Sequence, residues 1–172
     1  MNKLEQLNRA LLPVLDLVKI KSTEYLIIGS AAEFISGFCK SFNDVDIIVS
    51  KDVFNRLIDD MFRYELITFA GKNVRRIRVG SVDIIEHYGD WLDRPKHLVT
   101  NLPVLGTEDL IEWRIETGRT KDQLRAWQII HQIYADARPI VLSNPPLAAL
   151  PGLLEIESKI FKYQQQLMEM AN

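Results

Sequence analysis

The chain has 172 residues, 47% of them hydrophobic and 26% charged, and its 21 basic and 23 acidic side chains leave a net charge of −2. That length suits one compact domain that buries about 68–70% of the surface its unfolded chain exposes, so neither disulfides nor a structural metal are needed for folding. A single cysteine, Cys39, excludes an internal disulfide, no run approaches the ~20 apolar residues of a membrane span, and near-neutral charge excludes a global pull toward polyanions.

From the N-terminus, Leu4, Leu7, Leu11, Leu12, Leu15 and Val18 recur at three- and four-residue steps. This predicts an amphipathic helix over 3–20 rather than a signal peptide, and with it a cytoplasmic protein with no membrane partner. Lys21 to Glu24 break the pattern, and Tyr25 to Ile28 form a short apolar strand ending in Gly29-Ser30. Ala31 to Phe38 favour a helix that Gly37 weakens near its end, so the segment reads strand, turn, helix. Cys39 follows, a small buried hydrophobe rather than a nucleophile. Val45 to Val49 is a second strand, and Val53, Leu57, Ile58, Met61 and Phe62 predict a helix over Lys51 to Tyr64. Three further strands are expected at Ile67–Ala70, Val74–Val79 and Val82–Tyr88, the last two joined by the tight turn Val79-Gly80-Ser81.

Beyond Pro95 the character changes. Pro103 to Leu105 is a short extended piece, Thr107 is a candidate N-cap for a helix over Glu108 to Thr117, and Lys121 to Tyr134 follows Gly118 as another helix. Ser143 to Pro151 reads as a proline-bearing linker, and Leu153, Ile156, Ile160 and Leu167 stand at helical spacing after it. The fold class expected is α+β, with a mixed, mainly antiparallel sheet flanked by helices and a helical C-terminal part. Residues 1–135 form the main domain and 136–172 a linker and helix that pack on it or on a partner, a homodimer among the options.

Asp44 and Asp46 interrupt an apolar strand two residues apart, so they share a face about 6.6–6.8 Å apart along the backbone. Two such carboxylates repel one another and lose solvation, and one becomes protonated unless a cation holds both. D-x-D alone also describes two charges at a solvated strand end. Asp83 adds a third carboxylate inside a β-branched run. If its strand lies beside Val45 to Val49, three acids converge in the manner that supports two metal ions about 3.5–4 Å apart. Gly29-Ser30, at a strand-to-helix turn, lets the backbone approach a ligand, and the N–H groups of the helix start favour phosphate.

Lys72, Arg75, Arg76 and Arg78 cluster before Asp83, with Arg76 and Arg78 on one face by alternation. They suit either a charged sheet edge that resists aggregation or a phosphate-binding surface. Glu86, His87 and His97 match no zinc spacing, His131 reads as packing or surface, and Trp91, Trp113 and Trp127 read as core or interface anchors rather than base-stacking platforms.

Ile28-Gly29-Ser30, a thirteen-residue interval and then Asp44-Val45-Asp46-Ile47 resemble the signature of the nucleotidyltransferase superfamily that includes DNA polymerase beta and the small bacterial antibiotic nucleotidyltransferases. Asp83 matches the third carboxylate of that family. Gly118-Arg119-Thr120-Lys121-Asp122 is similar to a basic helix motif of its short stand-alone bacterial branch, some of whose members belong to toxin–antitoxin or phage-defence systems. Lys40 stands four residues before Asp44, where those members often carry arginine. The resemblance covers roughly residues 20–135. It implies a nucleotidyltransferase fold in which Asp44, Asp46 and Asp83 hold Mg²⁺ or Mn²⁺ and act as catalytic residues. It also implies that Gly29, Ser30, Lys40, Arg76, Arg119 and Lys121 bind an NTP such as ATP. The acceptor it implies is a hydroxyl on a small molecule, a tRNA or a protein. The alternative is a non-catalytic module of the same fold that binds a toxin–antitoxin partner.

Overall fold

The computed structural model describes residues 2–60, 62–69, 71–94, 96–99 and 101–143. The expected linker over 143–151 and the apolar stripe from Leu153 to Leu167 lie, from residue 144 on, outside the described residues, as do Met61, Ala70 and Pro95. The chain divides into two compact units, Met1–Ala126 and Trp127–Asn172. In the second, the described residues run from Trp127 to Ser143 as helix. No helix among the described residues is long and apolar enough to cross a membrane.

The first unit opens with α1 (Lys3–Val18), started by a capping box in which the Asn2 side chain accepts from Glu5 N at 2.8 Å and Asn2 N donates to Glu5 Oε2 at 3.0 Å. Pro13 sits inside this helix on its exposed side, where water can satisfy the carbonyl that proline leaves without a donor. Leu7, Leu11, Leu15 and Val18 are buried, whereas Leu12 is 43% exposed. The apolar stripe is therefore narrower than the leucine count suggests.

β1 (Tyr25–Ile28) leads directly into α2 (Gly29–Ser36), which ends at Gly37 in the left-handed region with φ +88°. β2 (Val45–Val49) precedes α3 (Lys51–Asp59), capped by the Ser50 side chain accepting from Val53 N at 3.3 Å. α3 stops five residues short of the expected Tyr64. Tyr64 instead packs edge-on against Phe54, with ring centroids 6.5 Å apart, as the chain turns back into β3 (Glu65–Phe69).

β4 (Lys72–Val79) and β5 (Val82–Glu86) form the expected hairpin, with Val79 opposite Val82 and Gly80 at φ +59° in the turn. β6 (Lys96–Val99) had no sequence signal, because its residues are largely exposed and show no alternation. It pairs with β7 (Leu102–Leu105) across Asn101, whose φ is +69°. In α4 (Thr107–Glu116) the N-cap is Gly106, correcting the expected Thr107. A Cβ at residue 106 would lie 2.7 Å from the exposed His97 ring, which would have to shift to admit a larger residue there. α5 (Thr120–Ser143) starts one residue before the expected Lys121.

Among the described residues seven strands form one sheet in the order β3-β4-β5-β2-β1-β7-β6. β1–β7 and β2–β5 are parallel and the other four pairings antiparallel, so the sheet is mixed and mainly antiparallel, within an α+β unit. Every residue of β1 and β7 is buried, which requires cover on both faces of the sheet centre. α1 and α2 both pack on β2, α1 and α3 on β5, and α2 also on β1 and α4.

Leu11→Ala should cost about 2–5 kcal/mol of unfolding free energy, whereas Leu12→Ala should stay within about 0.5 kcal/mol of wild type. Urea melts of the two variants check this, and equal costs would contradict the orientation of α1.

Candidate active site

The register of the sheet centre brings the acids together. β2 and β5 run parallel with Asp46 beside Asp83, so the two side chains leave the same face of adjacent strands. Asp44 lies just before β2, and the three residues offer carboxylate oxygens that all lie within 4.8 Å of one another. On the other flank Asp46 pairs in register with Ile28, the last residue of β1, and Gly29 follows. Gly29 has φ +64°, and a Cβ there would fall 2.5 Å from Asp46 Oδ2. Only glycine both takes that backbone conformation easily and leaves room for the carboxylate.

The acids open into a cleft of about 520 Å³. Ser30, Arg76, Arg119 and Lys121 line it with them, whereas Lys40 is exposed and does not. Lys40 belongs to the loop that follows Gly37, where its neighbours Cys39 and Ser41 do line the cleft. The Ser30 hydroxyl reaches the Asp44 carbonyl only at 3.5 Å, and no side chain caps the start of α2. Among the described residues no side chain accepts a capping hydrogen bond from that first turn.

Asp83 is buried and accepts from Arg78 Nε at 2.6 Å, Arg78 Nη2 at 2.7 Å and Arg76 Nη1 at 3.0 Å. The Asp44 and Asp46 carboxylates accept no hydrogen bond and join no ion pair among the described residues. Burial, and then the charges of Asp44 and Asp83, push Asp46 up to about 7 from its ordinary 3.8, against the opposing pull of Arg114 and Arg119. A half-buried carboxylate pair with no partner, packed against a glycine and beside a third acid, fits a hard divalent ion. Asp44, Asp46 and Asp83 are the residues that would hold it.

A second charged layer ties Arg119 and Asp122 of the basic motif to Glu33, Arg114 and Arg125, three residues the sequence left without a role. Arg114 on α4, buried, donates to Glu33 Oε1 on α2 at 2.7 Å and also bonds Asp122 at the start of α5. Arg125 donates to Glu33 Oε2 at 2.7 Å and to the Phe38 carbonyl at 2.7 Å. Arg119 bonds Asp122, which also accepts from the Thr117 hydroxyl at 3.0 Å. The signals were available as Glu33 in an Ala-Ala-Glu-Phe-Ile run and Arg114 between Trp113 and Ile115, charges where a core helix face calls for apolar residues. All five of these charged residues line the cleft. The Arg119 guanidinium also lies 5.0 Å from the Phe69 ring centre, and Phe69 sits 5.9 Å from Trp113. Trp113 is buried and donates to the Tyr88 hydroxyl at 2.5 Å, in keeping with a core anchor.

Cys39 also lines the cleft, half-buried, with its thiol 3.2 Å from the Ser41 carbonyl. Burial and the nearby Glu33 charge push the thiol up, which disfavours the reactive thiolate. Glu86, weighed for metal binding with His87 and His97, is instead paired with Arg75 at 2.5 Å.

No family model and no curated protein matches the sequence. Among solved structures, one of a cytoplasmic RNA terminal U-transferase aligns at 17% identity, over 82% of this chain and 42% of that one, with a TM-score of 0.30. This chain thus spans less than half the length of that protein, and a likeness of that size carries no argument about activity.

Two expectations follow from the charges. Between pH 4 and 7 the folded chain holds a proton on Asp46 that the unfolded chain has released, so this stabilisation is complete below about pH 4 and lost as pH rises through about 7. Asp46→Asn should remove that part of the slope of melting temperature against pH, and parallel curves for variant and wild type would contradict it. Arg114→Ala leaves Glu33 and Asp122 buried without their shared partner and should cost about 3–5 kcal/mol in a denaturant melt.

Proposed function

We propose that this protein is a divalent-metal-dependent nucleotidyltransferase that moves a nucleoside monophosphate from an NTP to the hydroxyl of an acceptor. The observation that carries the reading is the convergence of Asp44, Asp46 and Asp83 beside the glycine-led turn into α2. Five acidic residues, Glu33, Asp44, Asp46, Asp83 and Asp122, line the cleft together with five basic ones, Arg76, Arg114, Arg119, Lys121 and Arg125. Fully charged, the lining is neutral, so the protein alone offers no excess cation to a triphosphate. Mg²⁺ or Mn²⁺ held by the three aspartates would supply that charge and make the acceptor hydroxyl a better nucleophile.

The chain's own groups then have distinct tasks. The N–H groups at Gly29 and Ser30 and the Ser30 hydroxyl receive phosphate oxygens at the start of α2. Lys121, exposed and without an ion-pair partner among the described residues, contributes a mobile charge at the rim. Arg119 is already tied to Asp122 and spread over Phe69, so its guanidinium is held in place before a ligand arrives. In the transfer, the acceptor oxygen bonds to the α-phosphorus as the bond from that phosphorus to the pyrophosphate oxygen breaks. The hydroxyl proton passes to a carboxylate of the cleft, and pyrophosphate leaves. No covalent enzyme intermediate enters.

Calorimetry with each of the four NTPs and Mg²⁺ tests the reading on wild type and on Asp44→Ala/Asp46→Ala. Metal-dependent binding that disappears in the variant supports it. Equal inertness of both proteins would instead favour a module that binds a partner through this fold without catalysis.

A further inference from the structure

The three acids of the cleft are not in equivalent states. An ionised carboxylate offers about four lone-pair sites, and Asp83 has three of them filled by guanidinium N–H groups, whereas Asp44 and Asp46 have none filled by donors of the described residues. The donors come from β4, the antiparallel neighbour of β5, where Arg78 stands opposite Asp83 and Arg76 lies two residues away on the same face.

The two arginines also differ from each other. Arg76 is anchored a second time, its Nε and Nη2 donating to Glu65 Oε1 on β3 at 2.9 and 2.5 Å. Arg78 makes its side-chain hydrogen bonds to Asp83 alone among the described residues and is 52% exposed, while Asp83 is 2% exposed. Arg78 can therefore leave Asp83 without breaking a hydrogen bond to any other described residue, whereas Arg76 stays tied to Glu65.

We propose that Arg76 and Arg78 occupy Asp83 in place of a cation. The cleft then takes a first divalent ion on Asp44 and Asp46, and admits a second on Asp83 only as Arg78 releases it. Arg78 is on this view a positioning residue that sets the order of metal loading, and the inference rests on the metal-dependent reading above. The physical basis is competition for one carboxylate. A divalent ion drawn to Asp83 meets the repulsion of two guanidiniums and finds one lone-pair site open, whereas an ion at Asp44 and Asp46 displaces no hydrogen-bond donor of the described residues.

Titration of Mn²⁺ into the full chain, followed by calorimetry and by the spin-resonance signal of free Mn²⁺, reads the two sites directly and needs no acceptor. Wild type should bind one ion tightly and a second at least about tenfold more weakly. Arg78→Gln should tighten the second by about tenfold and leave the first unchanged. Arg78→Lys, which keeps the charge but loses the fork, should fall between them, and Asp83→Asn should lose only the second ion. A thermal melt of each variant checks that it is folded, and Arg78→Lys carries the comparison if Arg78→Gln is not. Two equivalent ions in wild type, or a second affinity unmoved in both Arg78 variants, would overturn the ordering while leaving the metal site intact. Absence of Mn²⁺ binding in wild type and both Arg78 variants would overturn the ordering together with the reading beneath it.

Discussion

Mutual repulsion among Asp44, Asp46 and Asp83, forced on them by the parallel register of β2 and β5, is the constraint around which the rest of the first unit is arranged. A slip of one residue between those strands would send Asp46 and Asp83 to opposite faces and bury one of them in the apolar core. The strands resist such a slip because the alternate residues Val45, Ile47, Val82 and Ile84 are fully buried. Apolar packing on one face thus holds carboxylates together on the other, a position that their electrostatics alone would oppose.

The surroundings answer that repulsion in different ways for each acid. Asp83 is paired with arginines from the next strand, Asp46 retains a proton up to near neutral pH, and Asp44 keeps partial contact with solvent. A similar logic runs deeper along the cleft. Glu33 and Asp122 are almost fully buried, and each is held by two guanidiniums, with Arg114 shared between them. Through Arg114 the helices α2 and α4 and the start of α5 are fixed relative to one another by charge-assisted hydrogen bonds, which have stricter geometry than apolar contacts. The rigid arrangement of basic groups beside the acids is a consequence of that pairing.

Glycine enters at the two points where backbones and side chains come too close for a Cβ. At Gly29 the neighbour is the Asp46 carboxylate, and at Gly106 it is the His97 ring. The first packs against an acid of the cleft, and the second seats β6 against the start of α4. Their sequence contexts look alike, each a glycine between an apolar strand and a helix, and only the packing distinguishes a site glycine from a structural one.

What the sequence by itself determined was local. Apolar runs and turn residues marked β1, β2, β4 and β5, the glycine-led turn into α2, and three aspartates in places where strand propensity disfavours them. Those features depend on spacing along the chain, which periodicity reports directly. The tertiary structure alone decided what depends on contacts between distant segments. It placed Asp83 in register with Asp46, ended α3 at Asp59, moved the cap of α4 to Gly106, turned Leu12 outward and left Lys40 outside the cleft. It also assembled Glu33, Arg114, Asp122 and Arg125 into one network across as many as 92 residues of sequence separation. A charged residue in an apolar run shows that a partner must exist, because an unpaired buried charge is too costly to keep. Which partner it is depends on the packing of strands and helices, and that is set only when the chain folds.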